Sequence, residues 1–230
     1  REHACDSGNV FDEEWEPDEQ QRQTESAQDY WRQQCYPLDG PVLEAALEVW
    51  PHVDALVDDM RQLCREPVDP ALGFEELGSL IERVQNEREA SLFALADGWA
   101  ARAQRLEDWL DGQIANNKAA WNGHKLKAVN YKGWLQTLRS WAAQPHDGLA
   151  QDLKTGAARL IPSGLNDARK GDVAVTLPPE SQALQELLSA LAQLPSLHVA
   201  IRLHAAAQIQ QRMQFLKRQA GTFGYADMLE

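Results

Sequence analysis

Between Gly112 and His146 the chain carries Lys118, Lys125, Lys127, Lys132 and Arg139, with Trp121, Tyr131, Trp134 and Trp141 among them, and no Asp or Glu. These residue types suit contact with a polyanion. Phosphate attracts Lys and Arg and repels carboxylate, so a phosphate-facing surface loses acids as it gains bases. Aromatic rings add stacking on the bases of a single strand. A second basic cluster, Lys154, Arg159, Arg169 and Lys170, lies further along. The candidate polyanion-contacting residues are therefore Lys118, Trp121, Lys125, Lys127, Lys132, Arg139, Lys154, Arg159, Arg169 and Lys170. Trp134, Leu135, Leu138 and Trp141 recur at helical spacing and read as core, with Lys132 and Arg139 off that stripe and facing solvent. Trp121 sits in a polar loop, where little packing is expected. The plain alternative for the lysines is a solvated face.

Other chemistry is not apparent. A phosphate-cradling loop needs G-x-x-x-x-G-K-[ST], which no stretch supplies; "NGHKL" has one Gly and the wrong spacing. "DEQQ" at Asp18–Gln21 mimics an acidic helicase box, but "EEWEP" precedes it where an apolar strand is needed, so it reads as a solvated turn. "VFDEEW" at 10–15 is a similar decoy. His198 and His204 are six apart and do not share a helix face as an i, i+4 pair does. No Ser or Cys lies in a nucleophile motif. The expectation is no catalytic, cofactor or metal residue.

The elements that position the basic stretch are helical. Gly and Pro are sparse and apolar residues recur at helical intervals. Helices are expected from about Thr24 to Cys35, from Pro41 to a break at Pro51, and onward with Val53, Leu56, Val57, Met60 and Leu63 on one face. From Glu75 to Asp111 no Pro intervenes, and Leu77, Leu80, Ile81, Val84, Leu92, Leu95, Trp99, Leu106 and Leu110 form a stripe; as one helix this would reach ~55 Å. Residues 116–130 have the Asn and Gly of a loop, and Asn130 can cap a short helix from Tyr131 to Ala142. Pro145 to Pro179 reads as mostly irregular. A helix with Leu184, Leu187, Leu188 and Leu191 ends at Pro195, and Ser196 caps another running to about Ala220, with Gly221 as its stop. Only "VAVTL" at 173–177 hints at a strand. The class is all-α, with irregular connections and little or no sheet.

The bulk numbers bound the setting. The net charge is −13, yet residues 1–111 hold 27 acids and 9 bases while residues 112–230 hold 8 acids and 13 bases. Such asymmetry suggests two environments or two partners. No apolar run nears the ~20 residues of a membrane span, and the N-terminus does not read as a signal peptide. Three widely spaced cysteines, Cys5, Cys35 and Cys64, suit reduced cytosolic thiols.

Two segments carry a family resemblance: "DYWRQQCYPLDGPVLEAALEVW" at 29–50 and "IQQRMQFLKRQAGTFGYADMLE" at 209–230. Both resemble the RecB family, the β subunits of the RecBCD helicase–nuclease (exodeoxyribonuclease V), within the UvrD-like superfamily-one helicases. In those proteins a long helix with a basic end leads into a Gly–aromatic–Asp–Asp–Leu/Met–Leu box; here it is Gly224–Leu229, with Ala226 in place of the first Asp. The start, "REHACDSGNVFDEE", is similar to the segment just after the helicase T-I-H-G-F-C motif. The resemblance implies the 1B insertion: a stub at 1–14, a helical arm at 15–215, and a stub at 216–230 leading back to the first motor domain. It implies that ATP and Mg²⁺ are handled elsewhere in the parent and that no cofactor binds this region. It also implies duplex DNA as a partner, RecC and RecD as companion subunits, no membrane, and a bacterial cytoplasmic location. The alternatives are a module contacting another subunit of that complex and a standalone all-helical DNA-binding protein.

Overall fold

The computed structural model describes residues 17–170 and 175–219. The expected N-terminal stub, the Gly224–Leu229 box, Gly221 and the start of "VAVTL" lie outside the described residues. Eleven α-helices form among the described residues: α1 (Pro17–Tyr30), α2 (Gly40–Val49), α3 (Val53–Leu63), α4 (Leu77–Ala96), α5 (Trp99–Asn116), α6 (Ala128–Ala143), α7 (Leu149–Leu153), α8 (Thr155–Arg159), α9 (Pro162–Asp167), α10 (Pro179–Ala192) and α11 (Leu197–Gln219). No strand forms among them; the fold is all-α. None of these helices is long and apolar enough to cross a membrane.

Local chemistry explains the boundaries. α1 starts before the expected Thr24, absorbing the "DEQQ" decoy as helix. It runs into one π-helical turn, Trp31–Cys35, closed by the Tyr36 amide donating to the Trp31 carbonyl at 3.2 Å. Pro37 has no amide with which to continue it. Pro41 lies in the first turn of α2, where its missing N–H costs nothing. The His52 ring caps α3 by accepting the Ala55 amide at 3.2 Å. Ser196 Oγ accepts the Val199 amide at 3.4 Å at the head of α11.

The single helix expected from Glu75 to Asp111 is two helices. Gly98 adopts φ +73 between α4 and α5, a conformation that ends a helix and that glycine adopts without a Cβ penalty. The apolar stripe continues across the break, which is why periodicity alone conceals it. The region expected to be irregular after Pro145 holds three short helices, α7, α8 and α9.

The packing divides into two compact units, residues 1–84 with 196–230, and residues 85–195. In the first, α1 packs on α3 and α11 over a core of Tyr30, Trp50, Leu56, Met60, Leu77, Ile81, Ile201 and Ile209. Cys35 and Cys64 are buried free thiols in it, and burial pushes them up to about 12 and about 11. A polar pin crosses this core. The Glu75 carbonyl can only accept, so His204 Nε2 donates to it at 2.8 Å, and Nδ1 accepts the Tyr30 hydroxyl at 2.9 Å.

In the second unit α5 and α6 run antiparallel, and α7–α10 close over them. Trp99, Leu106, Leu110, Trp121, Leu126, Tyr131, Leu135, Leu138, Trp141, Leu165 and Leu184 form its core. Each such side chain contributes roughly 1.5–3 kcal/mol relative to remaining in water. Trp134 is half-buried and packs at the core's edge, where a Cβ on Gly156 would fall 2.4 Å from its Cγ. Glycine at 156 is what lets α8 approach α6 so closely.

Candidate nucleic-acid interface

The two basic clusters, separate in sequence, are stitched together by backbone. Trp121 and Arg169 form an isolated antiparallel bridge. The Asn122 amide donates to the Ala168 carbonyl at 2.8 Å, and the Lys170 amide to the Ala120 carbonyl at 2.8 Å. Lys118, in a 3-10 turn of Lys118–Ala120, and Lys170 therefore flank one short crossing of chain. Lys127 is the extended residue that starts α6, its carbonyl accepting the Asn130 and Tyr131 amides. The helix thus begins ahead of the Asn130 cap expected from sequence.

The side chains sort into four states. Lys118, Lys127, Lys154 and Lys170 are exposed, and among the described residues none of them forms an ion pair. Lys154 stands apart at the α7–α8 junction with φ +50. Lys125, Lys132, Arg139 and Arg159 are all held by carboxylates. Lys132 Nζ meets Asp111 Oδ2 at 2.9 Å. Arg139 Nη1 meets Glu107 Oε2 at 2.8 Å. Lys125 Nζ and Arg159 Nη1 take the two oxygens of Asp167 at 2.8 and 2.6 Å. Arg169 is half-buried, with Nη1 donating to Asn166 Oδ1 at 3.2 Å.

Trp121 is the fourth state and a correction. It is 2% exposed, not an unpacked loop residue. Its ring stands edge-on to Trp109, centroids 5.8 Å apart at 83°. The bridge to Arg169 holds the loop against the core, so the ring offers no face to a base. Among the described residues its Nε1 is buried without a hydrogen-bond partner.

The acids that complete this surface were missed in the sequence. Asp111 is the last acid before the acid-free stretch, but α5 runs back along α6 and returns Asp111 and Glu107 to Lys132 and Arg139. Asp111 accepts the Tyr131 hydroxyl at 2.5 Å as well, and these two hydrogen bonds hold its carboxyl below the usual range. Asp167 is likewise lowered, by its hydrogen bonds from Lys125 and Arg159. The helical spacing of α5 against α6 contained a signal for the first pair. Nothing local marked the second, because Lys125 and Asp167 are 42 residues apart.

No protein-family model matches the chain. It is similar to the RecBCD enzyme subunit RecB of Escherichia coli (strain K12), 25% identical over 233 aligned residues. The match covers 99% of this chain but only 18% of that protein, so the chain spans less than a fifth of the relative's length.

Proposed function

We propose that this chain is the 1B arm region of a RecB-like helicase–nuclease subunit and that residues 85–195 meet duplex DNA without sequence preference. The observation that carries the reading is the Trp121–Arg169 bridge, which gathers Lys118 and Lys170 beside the start of α6; among the described residues Lys118, Lys127 and Lys170 form no ion pair. Three exposed ammonium groups with no carboxylate partner among the described residues are suited to phosphate oxygens and to no particular base. Similarity to RecB over nearly the full chain supports the parentage. In such a parent the region would guide duplex DNA toward an ATP- and Mg²⁺-dependent 3′→5′ motor serving double-strand-break repair, in a bacterial cytoplasm. The chain alone is expected to bind no ATP and to unwind nothing.

The test is duplex binding across a salt series together with ATP calorimetry. Binding that weakens steeply with salt and is indifferent to sequence supports the reading. Micromolar ATP affinity, or salt-independent binding, contradicts it.

A second reading, contact with companion subunits such as RecC and RecD, has its own support. Outside residues 85–195 the chain holds 23 acids and 10 bases, and Tyr36 and Phe74 are 71% and 76% exposed there. Such a surface repels DNA and suits a protein partner. The two readings assign different units and are compatible.

A further inference from the structure

Asp167 is bound the way a phosphate would be. Lys125 Nζ donates to Asp167 Oδ1 at 2.8 Å and also to the Asp167 carbonyl oxygen at 3.0 Å, while Arg159 Nη1 reaches Oδ2 at 2.6 Å. Two cations from distant parts of the chain thus converge on the two oxygens of one small anion. The arrangement is open to water: the Lys125 and Arg159 side chains are 33% and 34% exposed, and that of Asp167 is 55% exposed. The Ala168 carbonyl, next in the chain, accepts the Asn122 amide of the bridge, so this cluster adjoins the crossing that carries Lys118 and Lys170.

We propose that Lys125 and Arg159 form a seat for a backbone phosphate of nucleic acid and that Asp167 fills it in the free protein as an internal competitor. The proposal rests on the reading of this surface as a DNA contact and deepens it. An arriving phosphate must displace the Asp167 carboxylate, whose charge also opposes it. The backbone half of the Lys125 contact survives that displacement and keeps Lys125 in place. The device keeps affinity low and lets duplex slide past without being held, since each phosphate gained is offset by an ion pair lost.

The test measures duplex DNA affinity of the whole chain with Asp167→Asn, which keeps the shape and removes the charge. Affinity should rise roughly two- to fivefold, and the slope of log K against log salt should steepen by about 1 as one more phosphate is neutralised. Adding Lys125→Gln and Arg159→Gln should abolish that gain. Should Asp167→Asn fail to fold by thermal melt, Asp167→Ser provides the same comparison. A folded variant with unchanged or weaker affinity overturns the seat but leaves the DNA reading standing on Lys118, Lys127 and Lys170. If neither the parent chain nor the variant binds duplex, both fall.

Discussion

Lys132 Nζ lies 2.9 Å from Asp111 Oδ2, so a lysine from the acid-free stretch is answered by the last acid of the preceding helix. The pairing changes what linear charge means here. Lys132 and Arg139 face α5 carboxylates rather than an incoming phosphate. Replacing both with Gln should leave the salt slope of DNA binding unchanged, because neither contributes a phosphate contact. A slope reduced by about 2 in that double variant would return them to the interface.

Trp121→Ala should destabilise the chain by ~3–5 kcal/mol, the range for emptying a buried aromatic site, and lower Tm on the order of 10 °C. Trp121→Phe should cost much less, since the indole Nε1 has no partner among the described residues to lose. Thermal melts of both variants check this. A normal melt for Trp121→Ala would mean the loop is not packed as described.

Gly156→Ala should cost about 1–3 kcal/mol by overpacking, because its Cβ would strike the Trp134 ring. The same substitution in a Trp134→Ala background should cost far less, and a double-mutant cycle by denaturant unfolding measures the difference. Additive losses would show that the two do not touch.

His204 is fully buried, and burial lowers its pKa, partly offset by the Glu75 carbonyl hydrogen bond and the Glu75 charge. The groups facing it are the Tyr30 hydroxyl, the Glu75 carbonyl and carboxylate, and the Gln208 amide. A folded pKa below the unfolded value of about 6.5 means that the unfolded chain takes up the proton first as pH falls. The contribution is therefore fully present above about pH 6.5 and is lost as pH falls through the lower folded value. Denaturant midpoints should drop between pH 7 and pH 5 more in the parent chain than in His204→Gln. Parallel pH profiles would contradict the assignment.

Helix class and most core positions were legible because they depend on periodicity: Leu56, Met60, Leu106, Leu135 and Trp141 are all buried at spacings the sequence displays. The break at Gly98 was not legible, because an isolated glycine within a continuous apolar stripe has the same pattern whether the backbone turns there or continues. Trp121 was misread for a related reason. Its neighbours Asn117, Asn122 and Gly123 mark a loop correctly, but what buries it is a backbone bridge to Arg169, 48 positions along. The candidate surface was half legible. The cations were visible as residue types, while the acids that neutralise Lys125, Lys132, Arg139 and Arg159 come from other helices. Sequence shows charge; only the fold shows which charges remain unanswered.

The most direct measurement is the salt dependence of duplex DNA binding for the chain with Lys118, Lys127 and Lys170 replaced by Gln. If these three make the phosphate contacts, the parent slope of log K against log salt is about −2.7, from roughly 0.9 per phosphate, and it collapses toward zero in the triple variant while the thermal melt stays unchanged. A triple variant that folds normally and keeps the parent's slope and affinity would contradict the account and move the contact away from the Trp121–Arg169 crossing.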